Sequence, residues 1–362
     1  MPRVIGIDPG TVSIDVCGLD DGRVFLDESF PTADALARPA ALVGLLERAG
    51  ALDLVAGPSG YGLPLVRSAE ATDADLRLAF LAAAGEAGGI GGLRALARAL
   101  GDAGVPAVLT PGVVHLGSVP AHRKVNRVDM GTADKVCAAA LAIREQADAE
   151  GCAERDAALV LVELGGAFTA AIAVAGGRIV DGVGGSSGPI GVRASGALDG
   201  EVAYLAGTVT KGLVFRGGAA DVAGRPDAAP EELAADRSPR GATAWEAYLE
   251  GAVKAVAALM VAAPHARAVV LSGRVSTVPG VCEALAERLA RVAAGAPVRR
   301  LAGFARVAKH AAQGAALIAD GLAGGASAAL VAAMGIRDAA GTALDHLHVV
   351  APADARRRLG LA

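Results

Sequence analysis

Aromatic residues are scarce in this chain of 362 residues: they make up 3%, with a single tryptophan. A core of that size must be filled by alanine, valine and leucine, whose small side chains suit close approach of helices and strands. The hydrophobic share of 53% and the mean hydropathy of +0.45 reflect alanine, not a membrane segment. No uninterrupted apolar run reaches the ~18–20 residues that span a bilayer; the nearest stretch, 315–336, contains Asp320 and several glycines. The chain starts directly on an apolar strand, which leaves no room for a signal peptide. Cys17, Cys137, Cys152 and Cys282 share no short spacing, which excludes a local zinc or redox motif and suits a reducing compartment. A large excess of one charge is missing too. The net charge is −4 with lysine and arginine scattered, which argues against a nucleic-acid partner. Neither a Gly-x-x-x-x-Gly-Lys-[Ser/Thr] loop nor a Ser-His-Asp order occurs. These absences point to a cytoplasmic α/β protein with neither membrane nor nucleic acid as partner.

What the chain does have is a paragraph written twice. Residues 7–24 and 162–179 superpose without a gap at an offset of 155, Asp8-Pro9-Gly10-Thr11 falling on Glu163-Leu164-Gly165-Gly166. Each copy reads as an apolar strand, an acid, a small-residue turn, a second strand, a tight turn and a third strand. Asp21-Gly22 and Gly176-Gly177 supply the tight turns, where positive φ is wanted. A strand–acid–glycine–strand hairpin lets backbone N–H groups approach an anion, with the acid placed to hold a hydrated Mg²⁺. Two of them, in opposite halves, predict opposed phosphate clamps across one cleft.

Along the chain, strands are expected at 3–7, 12–18, 23–26, 52–56 and 107–109, and helices near 39–49, 72–103 and 132–147. The polar stretch 149–156 reads as the junction between a domain at 1–150 and another at 151–362. The second half repeats the hairpin, then runs through a five-glycine loop (182–191), an exposed insertion at 217–240, helices at 243–262, 279–293 and 309–323, and a strand at 268–271. Leu-Val-Ala-Gly-Pro (54–58) and Val-Leu-Ser-Gly-Arg (270–274) echo each other, as whole-domain duplication requires.

Val4–Thr11, Val162–Thr169 and Val269–Gly280 resemble the two phosphate motifs and the adenosine motif of the actin, Hsp70 and sugar-kinase superfamily. Pro9-Gly10-Thr11, Gly188-Pro189-Ile190 and Arg193-Ala194-Ser195-Gly196 resemble segments of the acetate and butyrate kinases. With Ile14–Leu19 and Ala56–Leu65, nearly the whole chain resembles a prokaryotic family labelled predicted butyrate kinases. The resemblance implies two duplicated ribonuclease-H-like (actin-like ATPase) domains around a central cleft. It also implies ATP and Mg²⁺ as cofactors, a small carboxylate as acceptor, and a homodimer. Asp8 stands where the acid kinases carry asparagine, and Glu163 where aspartate or histidine is usual. The stretch 57–65 lacks the substrate-facing arginine of butyrate kinases, the first arginine being Arg67.

Phosphoryl transfer needs positioning, a metal and donors that neutralise developing charge. Asp8 and Glu163 are the candidate metal acids, with Gly10, Thr11, Gly165, Gly166, Gly184 and Gly185 around the phosphates. Ser272, Gly273 and Arg274 are placed at the nucleotide, and Arg193 at the transferring phosphoryl. Arg123 and Arg127 would attract an anionic substrate, Ser59 and Tyr61 would contact it, and Asp129 would orient the nucleophile. Plainer readings stand beside these: Asp8 as a turn acid, the glycines as a flexible loop, 123–135 as a capped helix laced with surface ion pairs. Asp134-Lys135 reads as the surface pair of that segment, and His115 as a core or loop histidine. An ATPase switch without small-molecule phosphorylation and a polyol or sugar kinase remain open alternatives.

Overall fold

The computed structural model describes residues 2–10, 12–81, 97–293 and 295–361. Thr11 and the middle of the helix expected over 72–103, residues 82–96, therefore lie outside the described residues; of that stretch, Asp73–Phe80 and 97–102 are helical.

Two mixed sheets carry the molecule. The first is built from β1 (Arg3–Pro9), β2 (Ser13–Asp20), β3 (Arg23–Pro31), β4 (Leu54–Pro58), β5 (Val66–Arg67) and β6 (Ala107–Thr110), in the order β3-β2-β1-β4-β6-β5. The second is built from β7 (Leu159–Leu164), β8 (Thr169–Ala175), β9 (Arg178–Val183), β10 (Ala268–Ser272) and β11 (Val298–Arg300), in the order β11-β10-β7-β8-β9.

The repeat seen in the sequence is a repeat of hydrogen-bond register. Asp8 pairs with Asp15, and at the same offset Glu163 pairs with Ala170. Even the irregularity is duplicated: the β2–β3 ladder shifts between Gly18 and Leu19, and the β8–β9 ladder between Ala173 and Val174. Both tight turns have two successive positive φ values, 52° and 73° at Asp21-Gly22 and 61° and 67° at Gly176-Gly177. That geometry matches the right-handed twist of the flanking strands. The echo between the fourth strands needs a correction of two residues. Gly6 pairs with Ala56 and Leu161 with Val270, so Ala56 answers to Val270 and not to Ser272. A slip of two keeps the same side chains on the same face, so the apolar pattern alone does not reveal it.

Two helices, Ala133–Glu150 and His310–Leu322, pack on each other and between the sheets. One apolar cluster joins Val4 and Ala56 of the first sheet, Leu159 and Ile172 of the second, and Ala139, Ile143, Ala315 and Ile318 of the helices. Alanine allows this closeness. The outer face of the first sheet is covered by Pro39–Arg48, and that of the second by Pro239–Met260 and Val281–Leu289. The stretch 217–240 is not simply an exposed insertion: Ala219, Ala220 and Leu233 are buried against the helix Pro239–Met260. The tail after 337 also packs, Leu344 and Leu359 joining Leu76 and Phe80. Among the described residues, no helix is long and apolar enough to cross a membrane.

Candidate active site

β1 and β7 carry their acids one residue before they end, and the first turn of helix Ala133–Glu150 carries Lys135, on which both acids act. Asp8 is buried at the end of β1. Burial, then the neighbouring Asp134 carboxylate, pushes its acid up to about 7, against the pull of Lys309 and Lys135. Lys135 lies in the first turn of the helix. Burial pulls its ammonium down, but Asp134, Glu163 and Asp8 outweigh this and hold it above its ordinary range. Burial pushes Asp134 up, yet Lys135 and the Thr132 hydroxyl hold it below the usual carboxylate range. Asp134-Lys135 is thus no surface pair, with side-chain exposures of 26% and 17%. One lysine feels the acid of the first hairpin and the acid of the second. The charges of the two repeated turns are thus coupled through Lys135.

A second lysine enters from the other long helix. Lys309, preceding His310–Leu322, is 2.9 Å from Asp15 and donates to Ser13 Oγ at 2.5 Å. Its Nζ lies 3.2 Å from where a Cβ on Gly10 would fall. Asp15, Lys135 and Lys309 escape motif reading because they sit outside the glycine turns. Asp15 was available from register, being the partner of Asp8 across β1–β2.

Asp129 organises a different wall. Gly131 N–H donates to its Oδ1 at 3.2 Å, and Ser186 donates both N–H and O–H to Oδ2, each at 2.9 Å. Gly184 N–H and the Ser187 hydroxyl donate to the Asp129 carbonyl. A Cβ on Gly184 would fall 1.6 Å from Asp129 Oδ1, so only glycine fits there. The loop over 184–187 is accordingly pinned to the entrance of helix Ala133–Glu150. Tyr61 borders the same group. Burial and then Asp129 push its phenol up to about 12, while hydrogen bonding to Ser186 acts the other way.

The remaining sequence candidates are distributed around these two walls. Ser59 is buried, donating to the Thr110 carbonyl at 2.7 Å and accepting from Leu63 N–H at 3.0 Å. Arg123 donates to the Val180 carbonyl at 2.7 Å and lies 3.9 Å from Asp181, which ties it to β9; Arg127 is half-buried nearby. Gly165 N–H closes the second hairpin on the Phe168 carbonyl at 3.0 Å, Gly166 has open space beside it, and Gly185 lies against the Phe168 ring. Arg193 N–H donates to the Ala167 carbonyl at the hairpin tip, while its side chain donates to the Pro226 carbonyl at 2.9 Å. Ser272 pairs with Glu163 in register and contacts His310 Nδ1 at 2.9 Å. Gly273 packs where a Cβ would meet Glu163 Oε1 at 2.7 Å, and Arg274 lies 3.7 Å from Glu231. His115 is buried, and burial pulls its imidazole down to about 4.

Solved structures share this architecture. A propionate kinase from Francisella tularensis subsp. tularensis SCHU S4 matches with a TM-score of 0.64 and 13% identity, over 87% of this chain and 98% of that one. An acetate kinase from Porphyromonas gingivalis matches with a TM-score of 0.59 and 15% identity, over 81% of this chain and 88% of that one. An acetate kinase from Entamoeba histolytica has the same TM-score of 0.59 with 11% identity, over 79% of this chain and 86% of that one. At such identities the likeness establishes the fold: two actin-like α/β halves about a cleft. No curated protein matches the chain in sequence. The model of one family, described as "Protein of unknown function (DUF1464)", matches residues 6–349.

Proposed function

The chain belongs to the family of that description, and we propose that it is an ATP- and Mg²⁺-dependent phosphotransferase whose acceptor is a small carboxylate. The observation that carries the reading is Lys135, which pairs with Asp134 and feels the charges of the acids of both hairpins. Asp8, Asp15, Asp134 and Glu163 face two lysines, Lys135 and Lys309. Burial, with an excess of carboxylate beside it, accounts for a proton retained on Asp8 near neutrality, and the excess suits a divalent cation. Among the described residues no three histidine, cysteine or acid side chains converge to ligate a metal directly. Asp8 and Glu163 therefore suit Mg²⁺ held through its own waters, as that ion prefers. The bound ion would draw charge from the β- and γ-phosphate oxygens. Gly166, with open space beside it, would present a backbone donor to the phosphates, Gly10 and Gly165 would shape the turns that close on the Asp8 and Phe168 carbonyls, and Lys135 and Lys309 would neutralise charge spreading onto the moving phosphoryl. Ser272, Gly273 and Arg274 border the nucleotide side, and Arg193 stands at the second hairpin tip.

Asp129 supports this acceptor class. A hydroxyl acceptor needs a base for its proton; a carboxylate does not. Both Asp129 oxygens already accept hydrogen bonds from Gly131 and Ser186, which supports a carboxylate over a polyol or sugar. Asp129 then fixes the 184–187 loop, and Tyr61 and Ser59 shape the acceptor wall. A carboxylate oxygen would attack the γ-phosphorus as the bond to the β–γ bridging oxygen breaks. The products are an acyl phosphate and ADP, with no proton transferred. Purified protein with ATP, Mg²⁺ and a panel of two- to five-carbon carboxylates should release ADP and yield a hydroxylamine-trappable product. ATP hydrolysis without any trapped product would favour a nucleotide-gated switch instead, and calorimetry showing no ATP affinity would remove both.

A further inference from the structure

We infer that His310 is a positioning residue for phosphoryl transfer: its ring, bonded to Ser272, ties the acid-bearing end of the second sheet to the helix start that brings Lys309 to the first hairpin. The inference rests on the phosphotransferase reading above, and not on the acceptor class. The helix His310–Leu322 follows β11 of the second sheet in sequence, yet it packs on β1, β2 and β4 of the first. A Cβ on Gly6 would fall 2.2 Å from the Ala312 carbonyl oxygen and from Ala316 N, so helix and β1 meet backbone to backbone. The residues leading into the helix are held too. Glu145 accepts N–H groups from Ala302 and Gly303 at 2.9 and 3.2 Å, and Gln313 Oε1 accepts those of Phe304 and Ala305 at 2.7 and 3.1 Å.

With the helix start fixed in this way, two successive residues reach opposite hairpins. Lys309 goes to Asp15 and Ser13 of the first. His310 goes the other way, its Nδ1 2.9 Å from Ser272 Oγ. Ser272 ends β10 and stands beside Glu163 in the ladder with β7. The next residue, Gly273, has a φ of 83°, and a Cβ there would fall 2.7 Å from Glu163 Oε1, so the Glu163 arm lies over this turn. Glu163 also acts on the His310 ring, favouring its cation against the burial that pulls the imidazole down. Consecutive Cα atoms are only ~3.8 Å apart. While the His310–Ser272 bond holds, the strand end that carries Glu163 therefore cannot shift independently of Lys309. Phosphoryl transfer depends on such placement, and about 1 Å of error can cost about a hundredfold in rate.

The test uses the full chain, ATP–Mg²⁺ and the same carboxylate panel, with His310→Ala, His310→Asn, Ser272→Ala and the double variant of the two alanine changes. Loss of the link should lower kcat for ADP release about tenfold to a hundredfold in His310→Ala, with the ATP KM moving far less. Asparagine branches at the same atom as the imidazole and places a polar atom near where Nδ1 stood, so His310→Asn should recover most of kcat. The double variant should be little slower than the slower single one, because both changes remove one bond. A purely structural histidine would lower the Tm of His310→Ala and leave kcat per ATP-binding site, counted by calorimetry, unchanged. That result overturns the inference and leaves the phosphotransferase reading standing, and so do losses that multiply in the double variant. A wild type that binds ATP but releases no ADP with any member of the panel removes the phosphotransferase reading and the inference with it, before any variant is made.

Discussion

A carboxyl at the buried end of β1, crowded by Asp134, ionises only at a free-energy cost, and Asp8 is pushed up to about 7. Its acid is raised in the folded state, so its contribution to stability is whole below the ordinary carboxylate range and disappears as pH climbs through about 7. Asp8→Asn, which stays neutral, should therefore melt higher than the wild type at pH 8, and the gain should shrink to nothing toward pH 4. The proposed Mg²⁺ would compete with that proton, so its stabilisation of the wild type, read as a Tm shift, should be larger at pH 8 than at pH 6. Lys135→Met removes the cation that both hairpin acids act on. It should lower kcat/KM by about a hundredfold or more, the scale of a lost transition-state charge partner, with kcat falling more than the ATP KM rises. At this scale the acids and glycines were legible because duplication marks them twice. Lys135 and Lys309 were not, because a lysine in a helix's first turn looks the same in solvent as in a cleft until the partner strands are placed.

Strands and loops were legible to the degree that their signal is local. The hairpins and the positive-φ turns follow from one alignment of residues 7–24 on 162–179, while the bulge that both copies carry was seen only in the ladders. The slip of two between 54–58 and 270–274 was invisible, since an apolar run of period two fits either register. A longer-range element contact is made by Asp27 on β3, whose carboxylate accepts N–H groups from Arg306, Val307 and Ala308 at 2.8, 3.1 and 2.7 Å. Burial pushes this acid up, but those three donors outweigh it and hold it below the usual range. The stabilisation is thus present above that range and lost as pH falls through the lowered value. Asp27→Ala should cost about 1–2 kcal/mol in denaturant unfolding at pH 7, and the penalty should fade in acid.

Across the whole molecule, the two halves meet where helix His310–Leu322 crosses helix Ala133–Glu150. A Cβ on Gly314 would fall 1.8 Å from the Cys137 carbonyl, so the helices touch backbone to backbone. Gly314→Ala should force them apart and cost about 2–3 kcal/mol or more, seen as a lower Tm. If the crossing also aligns the hairpins, ATP affinity should fall with it; unchanged stability in Gly314→Ala would show that the crossing is looser than drawn. By itself the sequence determined the duplication, the pair of glycine turns and the alanine-rich interior, because each is written in residue type and spacing over short range. Only the tertiary structure decided which charges share the cleft: Lys135 and Lys309 come from helices far along the chain from the hairpins they serve. It also decided that Asp129 is occupied by Ser186 and Gly131, because hydrogen-bond partners are chosen by the packing of two halves and not by position along one chain.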